Sequence, residues 1–107
     1  MASPKPGSPV RGSRTGRPIM AAFDLLGRRW ALRVLWELRD GSLTFRALRA
    51  RCDSMSPSVL SARLAELQDA GIVSLSGSGY GLTKRGTRLL EALAPLSEWA
   101  RSWAKSL

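Results

Sequence analysis

Residues 54–71, "SMSPSVLSARLAELQDAG", carry the signals of one complete helix with two unlike faces. Ser56 is a good N-cap, and Pro57 suits the first helical position, where its missing N–H costs nothing. Gly71 ends the helix. An apolar stripe recurs at helical spacing and consists of Val59, Leu60, Leu64 and Leu67. Small polar side chains lie near its start instead. A helix that only packs does not need them there, whereas a helix that enters a groove does.

Three helices and one very short extended segment are predicted before this helix. A first helix is predicted from Pro18 to Leu26, and "RRWALRVLWELRDG" predicts a second helix that ends by Gly41. Leu43 has the pattern of a very short extended segment. Thr44 then caps a third predicted helix, "FRALRARC".

The pattern changes after Gly71 from helical to alternating. "IVSLS" alternates apolar and polar residues at period two, "GSG" predicts a tight turn, and "YGLT" predicts a return strand. A final helix begins near Thr83, and Pro95 is expected to kink or split it. At the other end of the chain, residues 1–17 are rich in Pro, Gly, Ser and Arg and predict a disordered basic tail.

Three helices followed by a hairpin are the element order of a winged helix-turn-helix, a mostly α fold with a small β-hairpin wing. We expect this domain to span residues 18–107. In a helix-turn-helix the second helix of the pair places its N-terminal part in the major groove of DNA. Here that helix is the one that begins at Ser56.

The charge of the chain agrees with a DNA partner. Its 107 residues include 17 Lys and Arg against 8 Asp and Glu, a formal net charge of +9. Such a balance predicts a polyanion, either nucleic acid or, less often, an anionic membrane surface. His is absent and Cys52 is the only Cys, so we expect no enzyme, metal or other cofactor. No apolar run approaches the ~20 residues of a membrane helix, so a cytoplasmic, nucleoid-associated protein is expected.

Small or polar side chains at the start of the groove-entering helix suit close approach to base edges. Arg63 has the length to reach a phosphate or a guanine, and the arginines of the third helix, Arg51 among them, can hold phosphates. The predicted DNA-binding residues are Arg46, Arg49, Ser56, Pro57, Ser58, Ser61, Ala62, Arg63, Ser76, Ser78, Lys84 and Arg85. The alternative interpretation is that an amphipathic helix carrying Arg is an ordinary solvated face.

Several motifs then recur in order: Gly27-Arg28-Arg29-Trp30, the spacing of Phe45 and Leu48, the helix that begins at Ser56, and "YGLT" after the hairpin turn. With these motifs, residues 18 to about 103 closely resemble the HxlR-type transcriptional regulators, relatives of the MarR-type winged helix proteins. The resemblance implies a sequence-specific regulator that binds DNA as a homodimer. Two-fold pairing doubles the contact with DNA and predicts a palindromic operator.

The chain also departs from the family pattern. Members that sense oxidants or electrophiles use a Cys-Pro pair before the first helix, where this chain has Arg17 and Pro18, so such sensing is not implied. Thr44 stands where an Arg is usual and Ala47 where a Glu is usual. Both changes affect phosphate contacts or helix packing.

The resemblance implies that the N- and C-terminal helices form the dimer interface. The residues expected there, or in an effector site beside it, are Phe23, Trp30, Trp36, Leu96, Trp99 and Trp103. The rings either fill the interface and the core or form a flat slot for a planar effector. The alternative function is a small-molecule-sensing module with this slot at the dimer interface and weak or lost DNA binding. A third hypothesis is a protein that covers the surface of other regulators.

Two features leave alternatives open. The tail cations Lys5, Arg11, Arg14 and Arg17 have no acidic neighbours, and they form either an arm along the phosphates or a solvated leader. Cys52 lies near cations that lower a thiol pKa and favour a redox switch, whereas a lone Cys at a helix end is more often a small packing residue.

Overall fold

The computed structural model describes residues 3–10 and 16–107. Over these residues the chain forms five helices and one two-stranded antiparallel hairpin. The elements are α1 Pro18–Leu26, α2 Ala31–Glu37, α3 Phe45–Arg51, α4 Pro57–Asp69, β1 Val73–Ser76, β2 Gly79–Leu82 and α5 Lys84–Ser106. The predicted order of helices and strands is confirmed, and the fold is mostly α with a small hairpin.

Side-chain caps fix the starts of α3, α4 and α5. Thr44, Ser56 and Thr83 each accept a hydrogen bond from the backbone N–H three residues further on, at 3.1, 3.4 and 3.1 Å. Such a cap satisfies one of the N–H groups that a helix start leaves without an intrahelical partner. Pro57 occupies the first turn of α4, as predicted.

Two helices differ in extent from the prediction. The start of α2 is at Ala31 because Trp30 adopts a left-handed conformation with φ 74°, and the helix ends at Glu37. α5 continues through Pro95 as one helix, so of the two predicted effects of this proline the split is wrong, and the kink stays a prediction. A proline inside a helix leaves the carbonyl four residues earlier without its donor. Pro95 and Glu91 are both exposed, so water can satisfy that carbonyl.

The core is one apolar cluster that joins α1, through Leu25, with α2, α3, α4 and the first strand. Its fully buried side chains are Val34, Leu35, Leu38, Leu48, Cys52, Leu60, Leu64 and Leu67. Burial of one leucine side chain stabilises a fold by about 1.5–3 kcal/mol. The cluster therefore fixes which side of α4 faces inward, and the predicted leucine stripe of this helix is confirmed.

The hairpin projects from the domain and is joined to the segment before α3. Its strands pair in register, with Val73 opposite Leu82. Leu43 forms an isolated bridge with Tyr80 through two backbone hydrogen bonds of 2.9 and 2.8 Å, which confirms the short extended segment. Only Val73 of β1 is buried, and Leu75 is 57% exposed. The alternation of β1 therefore does not place its second apolar residue in the core.

We expect Gly79→Ala to destabilise the domain by about 2 kcal/mol, because it combines backbone strain with overpacking. Gly79 has φ +110°, and a Cβ atom there would collide with the carbonyl of Leu43. Urea denaturation measures the effect. Gly77→Ala is the matched control two residues away, where a Cβ would meet nothing within 4 Å. Equal stability of the two variants would contradict this account of the hairpin.

The described part of the N-terminal segment contacts the end of α4. The Ser3 backbone N–H and hydroxyl both donate to Asp69 Oδ2 at 3.0 Å, and Lys5 Nζ lies 2.8 Å from the same oxygen. Ser3, which the sequence assigns to a disordered tail, is buried by these contacts. Arg11 and Arg14 lie outside the described residues.

These contacts predict a pH-dependent attachment. Hydrogen bonds from Lys5 and Ser3 hold the pKa of Asp69 well below its ordinary value of 3.8. A lowered pKa means that the contact contributes stability above the ordinary pKa and is lost as pH falls through the lowered value. The NMR shift of the Ser3 amide should stay constant at neutral pH and, in acid, move to its position in Asp69→Asn. If the Ser3 amide had the same chemical shift in Asp69→Asn as in the parent at neutral pH, the attachment would be contradicted. Asp40→Asn is the control.

Candidate nucleic-acid interface

The outer face of α4 presents small polar side chains to solvent. Ser56, Pro57, Ser58 and Ser61 are exposed, and Ala62 is half-buried. The hydroxyl oxygens of Ser56 and Ser58 lie 3.0 Å apart. Since the leucines of the opposite face fill the core, this face is fixed outward and no bulky side chain in its first two turns obstructs close approach.

Two arginines hold the turn between α3 and α4. Arg49 Nε donates to the Met55 carbonyl at 2.6 Å, and its Nη2 donates to the Ser54 carbonyl at 3.3 Å. From α2, Arg33 pairs with Asp53 at 3.2 Å. These bonds compensate for the left-handed conformations of Asp53 and Ser54, φ 56° and 54°. The phosphate contact predicted for Arg49 would therefore compete with its structural bonds.

Arg63 lies on the inner flank of α4, away from Ser58 and Ser61. Its side chain is only 19% exposed, and its Nε is 3.2 Å from a carboxylate oxygen of buried Glu66. In this fold the guanidinium does not lie on the same face of α4 as the exposed serines. The base or phosphate contact predicted for Arg63 would require it to leave this ion pair.

The other predicted cations lie on different elements. Arg46 is exposed on α3, the first helix of the helix-turn-helix. Arg85 instead lies beside Gly71, where it lines a cavity with Asp69 and Pro18. Because a 13-residue helix is ~20 Å long, Arg85 lies about a helix length from the start of α4. The structure therefore does not bring Arg85 together with the exposed serines.

The hairpin tip is a separate polar surface. Ser76 and Ser78 are exposed, with their hydroxyl oxygens 3.1 Å apart, and Lys84 is exposed at the exit of the hairpin. Since Leu43 joins the hairpin to the start of α3, the tip is held in a fixed relation to the helix-turn-helix.

Large apolar side chains are exposed on α1 and on the outer half of α5. Phe23 is 60% exposed, and from Ala94 onward every residue except Ser97 is exposed. Trp99 and Trp103 stack with ring centroids 5.4 Å apart and exposures of 57% and 52%. An apolar surface of this kind marks an interaction site.

The remaining predicted aromatic residues occupy two other places. Trp30 is half-buried and packs against the core. Trp36 and Leu96 line an apolar groove of about 630 Å³ between α2 and α5. The Arg39 guanidinium lies 4.2 Å from the centre of the Trp36 ring at this groove. Trp99 and Trp103 do not line this groove, and the slot predicted between two subunits stays a prediction.

Cys52 is fully buried at the end of α3. Burial raises the pKa of its thiol, and the opposing effect of the Arg33 guanidinium is smaller. A buried thiol with a raised pKa is a poor nucleophile. The structure favours the packing interpretation of Cys52 over the redox switch.

Sequence reasoning missed the buried carboxylate of Glu66 and the groove residues Arg39 and Leu90. The spacing of Arg63 and Glu66, three apart on a helix, was the available signal for their ion pair.

Within residues 3–10 and 16–107, no helix is long and apolar enough to cross a membrane. In the same ranges, no group of three or more His, Cys, Asp or Glu side chains is placed to hold a metal ion.

A helix-turn-helix with an outward-facing, Ser-capped second helix, followed by a hairpin, defines a winged helix-turn-helix DNA-binding protein. Comparison with known proteins agrees. The profile described as HxlR-like helix-turn-helix matches residues 25–107. The chain belongs to the HxlR-like helix-turn-helix family and is a transcriptional regulator of the HxlR type.

Named relatives and solved structures support this assignment. The HTH-type transcriptional regulator YvaP of Bacillus subtilis is 34% identical over 89 residues, which cover 77% of this chain and 82% of YvaP. The crystal structure of quinone-bound YodB from B. subtilis is 31% identical with a TM-score of 0.68 and covers 83% of this chain and 97% of YodB. A possible HxlR family factor from Thermoplasma volcanium is 28% identical with a TM-score of 0.70, covering 82% and 85%. The named relatives are transcriptional regulators rather than enzymes.

Proposed function

We propose that this protein binds a palindromic DNA operator as a homodimer and regulates transcription there. The observation that carries the proposal is the exposed, small-residue face of α4, fixed outward by the buried leucines in a chain of net charge +9. Ser58 and Ser61 are the proposed contacts to base edges, because hydroxyl groups can donate to or accept from either base of a pair.

Phosphate contacts are proposed for two exposed cations and for the tip of the hairpin. Arg46 on α3 and Lys84 after the hairpin supply charge, and Ser76 and Ser78 supply hydroxyl donors at the tip. The positive end of the α4 helix dipole adds a further attraction for phosphate. Contacts of this type release counterions, so affinity should fall steeply with salt.

The dimer is proposed from the apolar side chains that a monomer leaves exposed. Phe23 on α1 and the Trp99–Trp103 pair on α5 are large, apolar and more than half exposed. Pairing these helices between two copies would remove them from water. Two-fold symmetry then sets the two copies of α4 in successive major grooves about 34 Å apart.

Selection of bound sequences from a random DNA pool tests the whole proposal. We expect enrichment of two inverted half-sites whose centres lie about one helical turn apart, roughly 10 base pairs. Enrichment of no sequence, or of a single unrepeated half-site, would contradict sequence-specific binding by a two-fold dimer.

We expect Trp99→Ala to weaken the dimer by roughly tenfold, since exposed aromatic side chains are the usual energetic centres of interfaces. Analytical ultracentrifugation over a range of concentrations measures the dissociation constant. Arg101→Ala changes an exposed neighbour on the same helix and serves as the control. A parent protein that stays monomeric at every concentration would refute the proposed dimer.

A second candidate function, sensing of a planar small molecule, is favoured by the groove between α2 and α5. Its volume of about 630 Å³ suits a small ligand, and its lining of Leu32, Trp36 and Leu90 is apolar. YodB, to which the chain is similar, has been crystallised with a quinone bound. A planar effector in this groove would quench Trp36 fluorescence, and Trp36→Phe should abolish that part of the quenching. Quenching by such ligands with no shift of promoter DNA would favour a sensing module over a DNA-binding regulator.

A further inference from the structure

Four charged side chains of alternating sign connect α1 to the inner flank of α4. We call Asp24, Arg28, Glu66 and Arg63 the ion-pair network. Arg28 Nε lies 3.7 Å from Asp24 Oδ1, and Arg28 Nη1 donates to Glu66 Oε2. The other carboxylate oxygen of Glu66 lies 3.2 Å from Arg63 Nε. Glu66 therefore pairs both with Arg28, in the turn after α1, and with Arg63 on its own helix α4.

The network is nearly enclosed by the fold. The side chains of Asp24 and Glu66 are only 4% and 5% exposed, and those of Arg28 and Arg63 are 17% and 19% exposed. Buried charges are costly unless they are paired. Arg28 and Glu66 each have two partners in the network, so removing Asp24 weakens the pairing of Arg28 without abolishing it. The central pair is hydrogen-bonded through Arg28 Nη1, whereas the Nε atoms of Arg28 and Arg63 face their carboxylates as ion pairs without a hydrogen bond.

Apolar packing between α1 and the end of α4 is incomplete. A cavity of about 420 Å³ lies there, lined by Ala21 and Leu25 of α1 and by Asp69 and Ala70 at the end of α4. Asp24 follows Phe23, whose ring is 60% exposed on the surface that we assign to the dimer. A displacement of α1 at that surface would therefore reach α4 through the ion pairs as well as through Leu25, which is buried in the core cluster.

We propose that Glu66 is a positioning residue for DNA recognition, which transmits the placement of α1 in the dimer to the placement of α4 in the groove. The proposal rests on the proposed function in taking α4 as the DNA-reading helix and α1 as a dimer contact. Glu66 itself touches no DNA in this account. Its role is to fix the angle at which Ser58 and Ser61 meet the bases.

Hydrogen exchange on the DNA-free, full-length protein tests the connection directly. Asp24→Asn, on α1, should raise amide exchange in residues 60–67 of α4 several-fold while leaving α3 protected. Glu98→Gln removes one negative charge from the exposed outer half of α5 and is the matched control. Unchanged exchange in α4, or an equal rise throughout the core as expected for a merely structural role, would overturn the proposal.

DNA affinity tests the consequence. Asp24→Asn, Glu66→Gln and Glu98→Gln each raise the net charge by one, so general electrostatics predicts equal or tighter DNA binding for all three. The proposal instead predicts that Asp24→Asn and Glu66→Gln each bind the selected duplex about tenfold more weakly than the parent. The variant that combines both changes should bind no more weakly than either change alone. Binding as tight as that of Glu98→Gln, or losses that multiply, would overturn it. If the parent selects no duplex, the proposed function fails, and the exchange measurement still decides the role of the network.

Discussion

Replacing Ser61 by Glu is expected to weaken binding to the selected operator by about a hundredfold, roughly 3 kcal/mol, with the fold intact. Ser61 is exposed one turn into α4, so a larger side chain there disturbs no core contact. In the proposed complex it would place a carboxylate among base-edge acceptors and phosphates, where like-charge repulsion is strong. Fluorescence anisotropy with the selected duplex measures the affinity, and circular dichroism confirms the fold.

The control for this variant must carry the same change of charge. Lys105→Gln also lowers the net charge by one, but at the exposed far end of α5. It should reduce affinity only a few-fold, through long-range electrostatics. If Ser61→Glu and Lys105→Gln bind equally well, α4 is not the helix that meets the bases.

Leu48→Ala should destabilise the protein by about 3 kcal/mol, because it leaves a cavity in a core that cannot collapse around it. Leu48 is fully buried in the cluster that joins α2, α3 and α4. Native domains are stable by only about 5–15 kcal/mol, so this single change would remove a large share and lower the Tm by roughly 15 °C. Urea denaturation at fixed protein concentration measures the loss, since dimer formation makes the apparent stability concentration-dependent.

Leu75→Ala is the matched control for the core variant. Leu75 lies on β1 of the hairpin and is 57% exposed, so its truncation removes little buried area. We expect a change of about 0.5 kcal/mol or less. A loss as large as that of Leu48→Ala would show that the hairpin packs against something that the described residues do not include.

The helix-turn-helix was predictable because its signals are local. Thr44 and Ser56 cap the helices that follow them, and Pro57 occupies the first turn of α4, as their positions in the sequence indicate. A cap depends on a backbone N–H only three residues away, so distant parts of the chain have little influence on it. The leucine stripe of α4 is equally local, since helical spacing alone places it on one face.

The roles of the arginines were less predictable, for one local and one tertiary reason. Arg63 follows Leu60 by three residues and precedes Leu67 by four, so helical spacing already places it on the leucine side of α4. The length and charge of the Arg63 side chain suggested a contact with DNA, but its pairing with Glu66 decides where the guanidinium lies. Arg85 shows the tertiary reason, because only the packing of α5 against Gly71 places it far from the start of α4.

The sequence by itself determined the order of the elements, the capped starts of three helices, the apolar face of α4 and the strong positive charge. Each of these follows from residue types and spacings over a few positions or from a simple sum over the chain. Tertiary structure alone decided that Arg28 and Glu66 meet, that α2 and α5 enclose a groove, and that the outer half of α5 leaves the core. The physical reason is that such contacts join residues far apart in the chain, and which buried charges and faces meet depends on how complete helices pack together.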